Sequence, residues 1–405
     1  MKPKDHEESA ARTVNLRAAG NYDAMPYVPD PEPLLDLDRA FGLAAVYGFA
    51  EPAEPSVLDL GCGVGVQLER LAAQTSGEIV GVDISPNACA DARARLGAHG
   101  GRVCILEADL LDLDPDSLGQ FDAVYVVGIL FVVPAVVQQR LFDLIGQRLK
   151  PGGVAVLSYY AGSMGALRPP LNRLIRSAVD QAAPPAEQVR QVRGLLRDLG
   201  EQLRQTGPSL PAQLVQILAS YNNDATLFHE VLGEDLTPTG TGEIEAALVG
   251  RGLEFLSYLH PMPHCGLPSS AQRARGADLF DFLYGGYRYA AFVKGAARPP
   301  AASLVPRWQT GLRRRVGPIG YGMTVEYQDP ALGAIRVASA PVQAALDQLS
   351  QGPKTRDELF AAVRTALRDH GVHCPADLDA ILDGEFQQLW QAGCLTPLGV
   401  ARPPR

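Results

Sequence analysis

The chain has 405 residues, 46% of them hydrophobic, and a formal net charge of −9. That is enough apolar material for two or three domains with cores of their own, while the acidic balance and the lone basic triplet Arg313–Arg315 exclude general binding to a nucleic-acid backbone, which needs concentrated positive surface. A charged start, no run of ~20 uncharged apolar residues and six cysteines without a Cys-x-x-Cys pair predict a cytoplasmic protein with reduced thiols, no secretory signal and no membrane span.

Residues 1–54 read as an N-terminal arm. Pro26, Pro29, Pro31 and Pro33 argue against a regular helix there, and Tyr22 and Tyr27 are placed to fold over a site as a lid, with a plain arm as the alternative. From 55 to 160 short apolar runs alternate with helical patterns: strands at 57–60, 78–82, 103–107, 123–127 and 154–159, and helices at 66–74, 86–96 and 134–149. Near-continuous apolar strands separated by helices predict a doubly wound, mostly parallel sheet covered on both faces. Residues 161–250 read as a helical insertion, with breaks at Pro169-Pro170, Pro184-Pro185 and Pro208. Two further strands, 253–259 and 287–294, are expected to close the far edge of the sheet as a hairpin, so that the core comprises 55–160 and 251–297. A Pro/Ala-rich linker at 297–305 opens the last region, 298–405. There Thr355 with Glu358 forms a capping box, and three helices followed by a strand suggest a winged-helix-like domain. This domain is not basic, so a protein contact is favoured over DNA.

The most informative stretch is Val57-Leu58-Asp59-Leu60-Gly61-Cys62-Gly63-Val64-Gly65. A buried strand ends in a carboxylate and runs into three glycines, which let the backbone pass close under a ligand, with a helix N-terminus behind it. Asp59, Asp83 and Asp109 fall at the tips of three successive strands, where the crevice of such a sheet opens. A carboxylate before the glycines would repel a pyrophosphate. S-adenosylmethionine carries no phosphate; it presents a sulfonium, an ammonium, a ribose diol and an adenine. Asp59 is expected to face its cationic end, Asp83 its ribose hydroxyls and Asp109 its adenine amino group. Gly61, Cys62, Gly63 and Gly65 form the turn, and Ile84, Ala108, Leu110, Val127 and Gly128 lie beside the acids or at the next strand tip. Cys62 is explained by the need for a small side chain.

With Leu149-Lys150-Pro151-Gly152-Gly153 ahead of the fifth strand, residues 57–160 resemble the Rossmann-like core of class I S-adenosylmethionine-dependent methyltransferases. Tyr22-Asp23-Ala24-Met25-Pro26-Tyr27, Val133-Pro134, Ser158-Tyr159, Leu227-Phe228-His229-Glu230 and Asp281-Phe282-Leu283 with Arg288 are similar to segments of the group that carries a methyltransferase regulatory domain. That group includes bacterial protein lysine methyltransferases with a winged-helix-like C-terminal part. The chain departs from it at Val127, where His is common, at Val132, where Trp is common, and at Tyr160, where Asn is common. These positions border the acceptor side, so the resemblance does not carry the acceptor with it.

A sulfonium is already a strong electrophile, so the protein mainly aligns a nucleophile and excludes water. Tyr22, Tyr27, Tyr159 and Tyr160, with Gly128 and Ile129, are candidates for the acceptor wall, through a cationic cage or an orienting hydroxyl; packing at a strand end is the alternative for Tyr159 and Tyr160. The pair His229-Glu230 offers an acid and a base, but adjacent residues on a helix point in different directions, so a surface or helix-packing role is favoured. His260 with His264-Cys265, and His370 with His373-Cys374, each lack a fourth ligand, and no metal is expected. The leading function is methyl transfer to a protein or peptide side chain. A small-molecule methyltransferase, with the C-terminal domain as a homodimer contact, and a non-catalytic cofactor-binding regulator are the alternatives.

Overall fold

The computed structural model describes all residues except 1–2, 206, 208, 233–238, 261, 303–304, 316–320, 322, 330–332 and 401–405. The chain opens with helix α1 (Pro3–Ala24) and, after a proline-rich crossing, α2 (Leu37–Val46). Then β1 (Val57–Leu60), α3 (Val66–Ala72), β2 (Ile79–Asp83), α4 (Pro86–Leu96), β3 (Val103–Glu107), β4 (Phe121–Val126), α5 (Ala135–Arg148) and β5 (Leu149–Ala161) alternate. Ser85 caps α4 by accepting from the Ala88 N–H, with Pro86 behind it, where a missing donor costs nothing.

Among the described residues five helices follow: α6 (Gly162–Ala178), α7 (Pro185–Gln205), α8 (Leu210–Ala219), α9 (Asp224–Leu232) and α10 (Thr241–Val249). Helix α6 runs unbroken through Pro169 and Pro170, contrary to the expected break. Interior prolines cost N–H donors and crowd the preceding turn, and the packing of α6 against neighbouring helices holds it through them. Helices α6 to α9 share one apolar cluster, including Val192, Leu214, Leu227 and Val231, that is separate from the two clusters on the sheet faces.

Strands β6 (Leu253–Tyr258) and β7 (Gly286–Lys294) flank α11 (Ser270–Tyr284). They pair antiparallel, but α11 joins them, so they are no hairpin; β7 slots between β5 and β6. The sheet order is β3-β2-β1-β4-β5-β7-β6, and β1 to β5 are parallel. Strand β1 is buried along its whole length, as expected of a central parallel strand.

The last region contains β8 (Arg307–Gln309), β9 (Arg313–Arg314), β10 (Val325–Asp329), β11 (Gly333–Val337), α12 (Ala340–Leu349), β12 (Lys354–Thr355), α13 (Arg356–Asp369), α14 (Leu378–Gln391) and β13 (Thr396–Leu398). The Thr355/Glu358 capping box starts α13. Two three-stranded sheets form here, β11-β10-β9 and β12-β8-β13. This region is not held on a free linker. Ala302 and Val305 are buried, and Ala301 N–H donates to the Val46 carbonyl. Tyr47 packs between Arg273 and Trp390 and donates to the Leu256 and Cys265 carbonyls, so one apolar cluster runs from the sheet through α2 to α14. In the basic triplet, Arg314 pairs with Asp347 and Arg315 with Glu326.

Candidate functional site

The glycine turn after β1 is held by its own backbone. The N–H groups of Gly61 and Cys62 both donate to the Val82 carbonyl, and Gly63 N–H donates to Asp83 Oδ2 at 2.8 Å. Gly61 and Gly65 have φ of 87° and 77°, conformations that L side chains rarely adopt. A Cβ on Gly61 would stand 3.0 Å from Ile129, and one on Gly65 would stand 3.1 Å from Ala92 of α4. Gly61 therefore brings the turn against the tip of β4, and Gly65 brings α3 against α4.

A cavity of about 260 Å³ opens above this turn, just below the usual size of small-molecule sites, roughly 300–1,000 Å³. The three strand-tip carboxylates share it. Asp83 Oδ1 accepts from Ser85 N–H at 3.0 Å while Oδ2 takes Gly63 N–H, leaving further lone pairs on both oxygens. Burial raises the Asp83 carboxyl above the ordinary carboxylate range, opposed by these N–H donors. Asp109 accepts from Leu111 N–H and from Asn15 Nδ2 of α1 at 3.1 and 3.2 Å. Asp59 is 5% exposed, and no described donor reaches its carboxylate. Burial, then the nearby charge of Asp83, pushes its pKa up to about 7.

Of the turn and strand-tip residues singled out in the sequence, Asp59, Gly61, Cys62, Gly63, Asp83, Ile84, Ala108, Asp109, Leu110, Val127 and Gly128 line this cavity. Gly65 does not; its part is the packing of α3 on α4. Burial pushes the Cys62 thiol up, which keeps it protonated. Tyr22 and Tyr27 also line the cavity, and Tyr22 does so from the last turns of α1, a regular helix where none was expected. The prolines begin only after this helix ends, so they stop it rather than prevent it.

Neither Tyr159 nor Tyr160 lines the cavity, and the two face opposite ways. Tyr159 is fully buried in the core, its hydroxyl 2.8 Å from Thr241 Oγ1, and it does not line the cavity. Tyr160 faces the opposite side of the sheet, as the alternation of a strand requires. Its ring packs on Phe131 and Tyr287, the guanidinium of Arg168 lies 4.0 Å over it, and its hydroxyl donates to Glu230 at 2.7 Å. Arg168 also pairs with Glu230. This cluster is tied to the cavity through Ser158, whose Oγ accepts from Gly128 N–H at 2.8 Å and lies 2.6 Å from the Tyr287 hydroxyl.

Sequence reasoning missed two lining residues of consequence. Asn15 comes from α1, whose polar sequence carries no apolar stripe to announce a packed helix. His229, read as helix packing, stacks on Tyr22 with ring centroids 4.2 Å apart and reaches the cavity. In the first histidine–cysteine fragment, His264 Nε2 lies 3.3 Å from Ser257 Oγ, and Cys265 Sγ donates to the Trp390 carbonyl.

Among the described residues that line the cavity there is no Lys or Arg, while a buried carboxylate at its floor lacks a partner. Such a donor set suits a cationic ligand without phosphate, and the residues present fit S-adenosylmethionine. A methyltransferase domain is matched over residues 57–153. An uncharacterized protein of Rickettsia prowazekii is 26% identical over 231 residues, 54% of this chain and 90% of that one. The carboxy-S-adenosyl-L-methionine synthase of Wolinella succinogenes is 30% identical over 151 residues, 35% of this chain and 58% of that one. Among solved structures, PKMT2 from Rickettsia typhi, also in complex with AdoHcy, superposes with TM-scores of 0.74 and 0.75 at 19% and 18% identity, over 93% of this chain and 78% of that one. Residues 57–153 are therefore the methyltransferase domain of an S-adenosylmethionine-dependent enzyme, on a fold that resembles that of class I methyltransferases.

Proposed function

We propose that the protein methylates a side-chain amine of a protein or peptide. The observation that carries this reading is the wall beyond Gly128. Tyr22, Tyr27, Tyr160 and Tyr287 gather around one carboxylate, Glu230, and the cavity reaches this wall through Tyr22 and Tyr27. Aromatic rings at the edge of a cavity attract an alkylammonium. The likeness to PKMT2 runs through the helical insertion and the C-terminal region, which supports an acceptor larger than a metabolite.

In this reading Asp83 holds the ribose hydroxyls, Asp59 faces the cationic amino-acid end, directly or through water, and Asp109 with Asn15 borders the adenine. The glycine turn supplies backbone at close range, and α1 forms the roof that excludes water. The cofactor supplies an activated methyl group. The chain's residues orient the acceptor and remove its proton.

The test is incubation of the purified protein with methyl-labelled cofactor and host lysate, followed by digestion and location of the label. The expected product is N-methylated lysine in peptides. Label confined to an extractable small molecule would transfer the assignment to the metabolite reading.

A further inference from the structure

His229 is the one residue of α6 to α10 that lines the cavity, among the described residues. Its Nε2 lies 2.7 Å from the Met25 carbonyl oxygen. A carbonyl only accepts, so Nε2 carries the hydrogen, and in the neutral ring Nδ1 is a bare lone pair. No described residue hydrogen-bonds to Nδ1. The ring is fixed by its stack on Tyr22, 12° from parallel, and by edge contacts with Tyr27 at 6.0 Å and Phe228 at 5.2 Å.

We propose that His229 is the catalytic base of this site, accepting at Nδ1 a proton from the ammonium form of the acceptor. The proposal rests on the amine reading above. An alkylammonium has no lone pair and an ordinary pKa near ~10.4, so at neutral pH its proton must leave before attack. Transfer to a neutral imidazole is uphill, but attack of the freed amine on the methyl group consumes it and draws the proton transfer forward.

The neighbouring groups are poorer candidates. Burial raises the Tyr22 and Tyr27 hydroxyls, so neither is ionised near neutrality. Glu230 is committed to Arg168 and Tyr160. Asp59 lies on the floor, beside the glycine turn. Around His229 itself, the charged group that faces it is Glu230 on its own helix, and Tyr22 and Tyr27 cover it from the N-terminal segment. Burial lowers its pKa, against Met25 and Glu230, which keeps the resting ring neutral as a base must be.

The step balances. One N–H bond of the ammonium breaks, the proton goes to Nδ1, and the electron pair stays on the acceptor nitrogen. That pair forms the new N–CH3 bond as the C–S bond breaks, its electrons remaining on sulfur. The imidazolium, still donating through Nε2–H to Met25 and facing Glu230, returns its proton to solvent.

His229→Gln tests this, because the Gln amide can still donate to the Met25 carbonyl but cannot titrate. With poly-lysine as acceptor in single turnover, the variant is expected to be roughly 100-fold slower at pH 7.5. The gap should close as the pH approaches ~10.4, where free amine exists without a base. Calorimetry should find cofactor affinity retained, and 15N NMR should show the wild-type ring neutral at pH 7.5 with hydrogen on Nε2. A gap independent of pH, or an imidazolium at pH 7.5, overturns the base and leaves the amine reading standing. A wild-type protein that labels no amine in poly-lysine or lysate defeats the reading, and with it the ammonium on which the base acts.

Discussion

Asp59→Asn isolates the least comfortable group in the structure. The carboxyl is 5% exposed, lacks a described donor, and has its pKa pushed from 3.8 to about 7 by burial and then by Asp83. A raised pKa means that the folded state binds the proton more tightly than the unfolded chain. The stabilisation is complete below the unfolded value of 3.8 and is lost as pH rises to about 7. Three pKa units correspond to about 4 kcal/mol, and a chain of this length shifts its Tm by about 1 °C per kcal/mol. Without cofactor, the wild-type protein should therefore lose about 4 °C relative to Asp59→Asn between pH 4 and pH 8, measured by differential scanning fluorimetry. Cofactor binding should reverse the preference, since a cation favours the carboxylate. Titration calorimetry at pH 6 in buffers of different ionisation enthalpy should then show proton release on binding to the wild type and none for Asp59→Asn. Parallel pH–Tm curves for the two proteins would refute the reasoning, as would equal affinity without proton release.

Asp83→Ala removes the acceptor of the Gly63 and Ser85 N–H groups as well as the proposed ribose ligand, so cofactor affinity should fall tenfold or more by calorimetry. Tyr159→Phe deletes a buried hydroxyl bonded to Thr241; stability should drop by about 1 kcal/mol while cofactor affinity stays unchanged, read by denaturation and calorimetry. Gly42→Ala places a Cβ 2.5 Å from the backbone of Leu398, against which α2 packs. Strand β13 should detach and the C-terminal region should become sensitive to limited proteolysis.

The sheet and the floor of the pocket were legible because their signals are local. A strand of four apolar-leaning residues, a glycine turn and an aspartate at a strand tip are set by neighbours a few positions away, so Asp59, Asp83 and Asp109 could be placed without coordinates. The turn glycines were also legible, although Gly65 proved to serve helix packing rather than the ligand. The roof was not legible. Helix α1 is polar, and only its docking over the cavity brings Asn15 and Tyr22 to the site. The division of labour between Tyr159 and Tyr160 follows from strand alternation, but which face met the core and which met Glu230 depended on how α6, α9 and α10 packed. His229 lies 204 residues from the carbonyl that orients it. Backbone turns and strand tips are fixed by short-range geometry, whereas the acceptor side is assembled from segments distant in the chain, and only tertiary packing could decide which of their polar groups face one another.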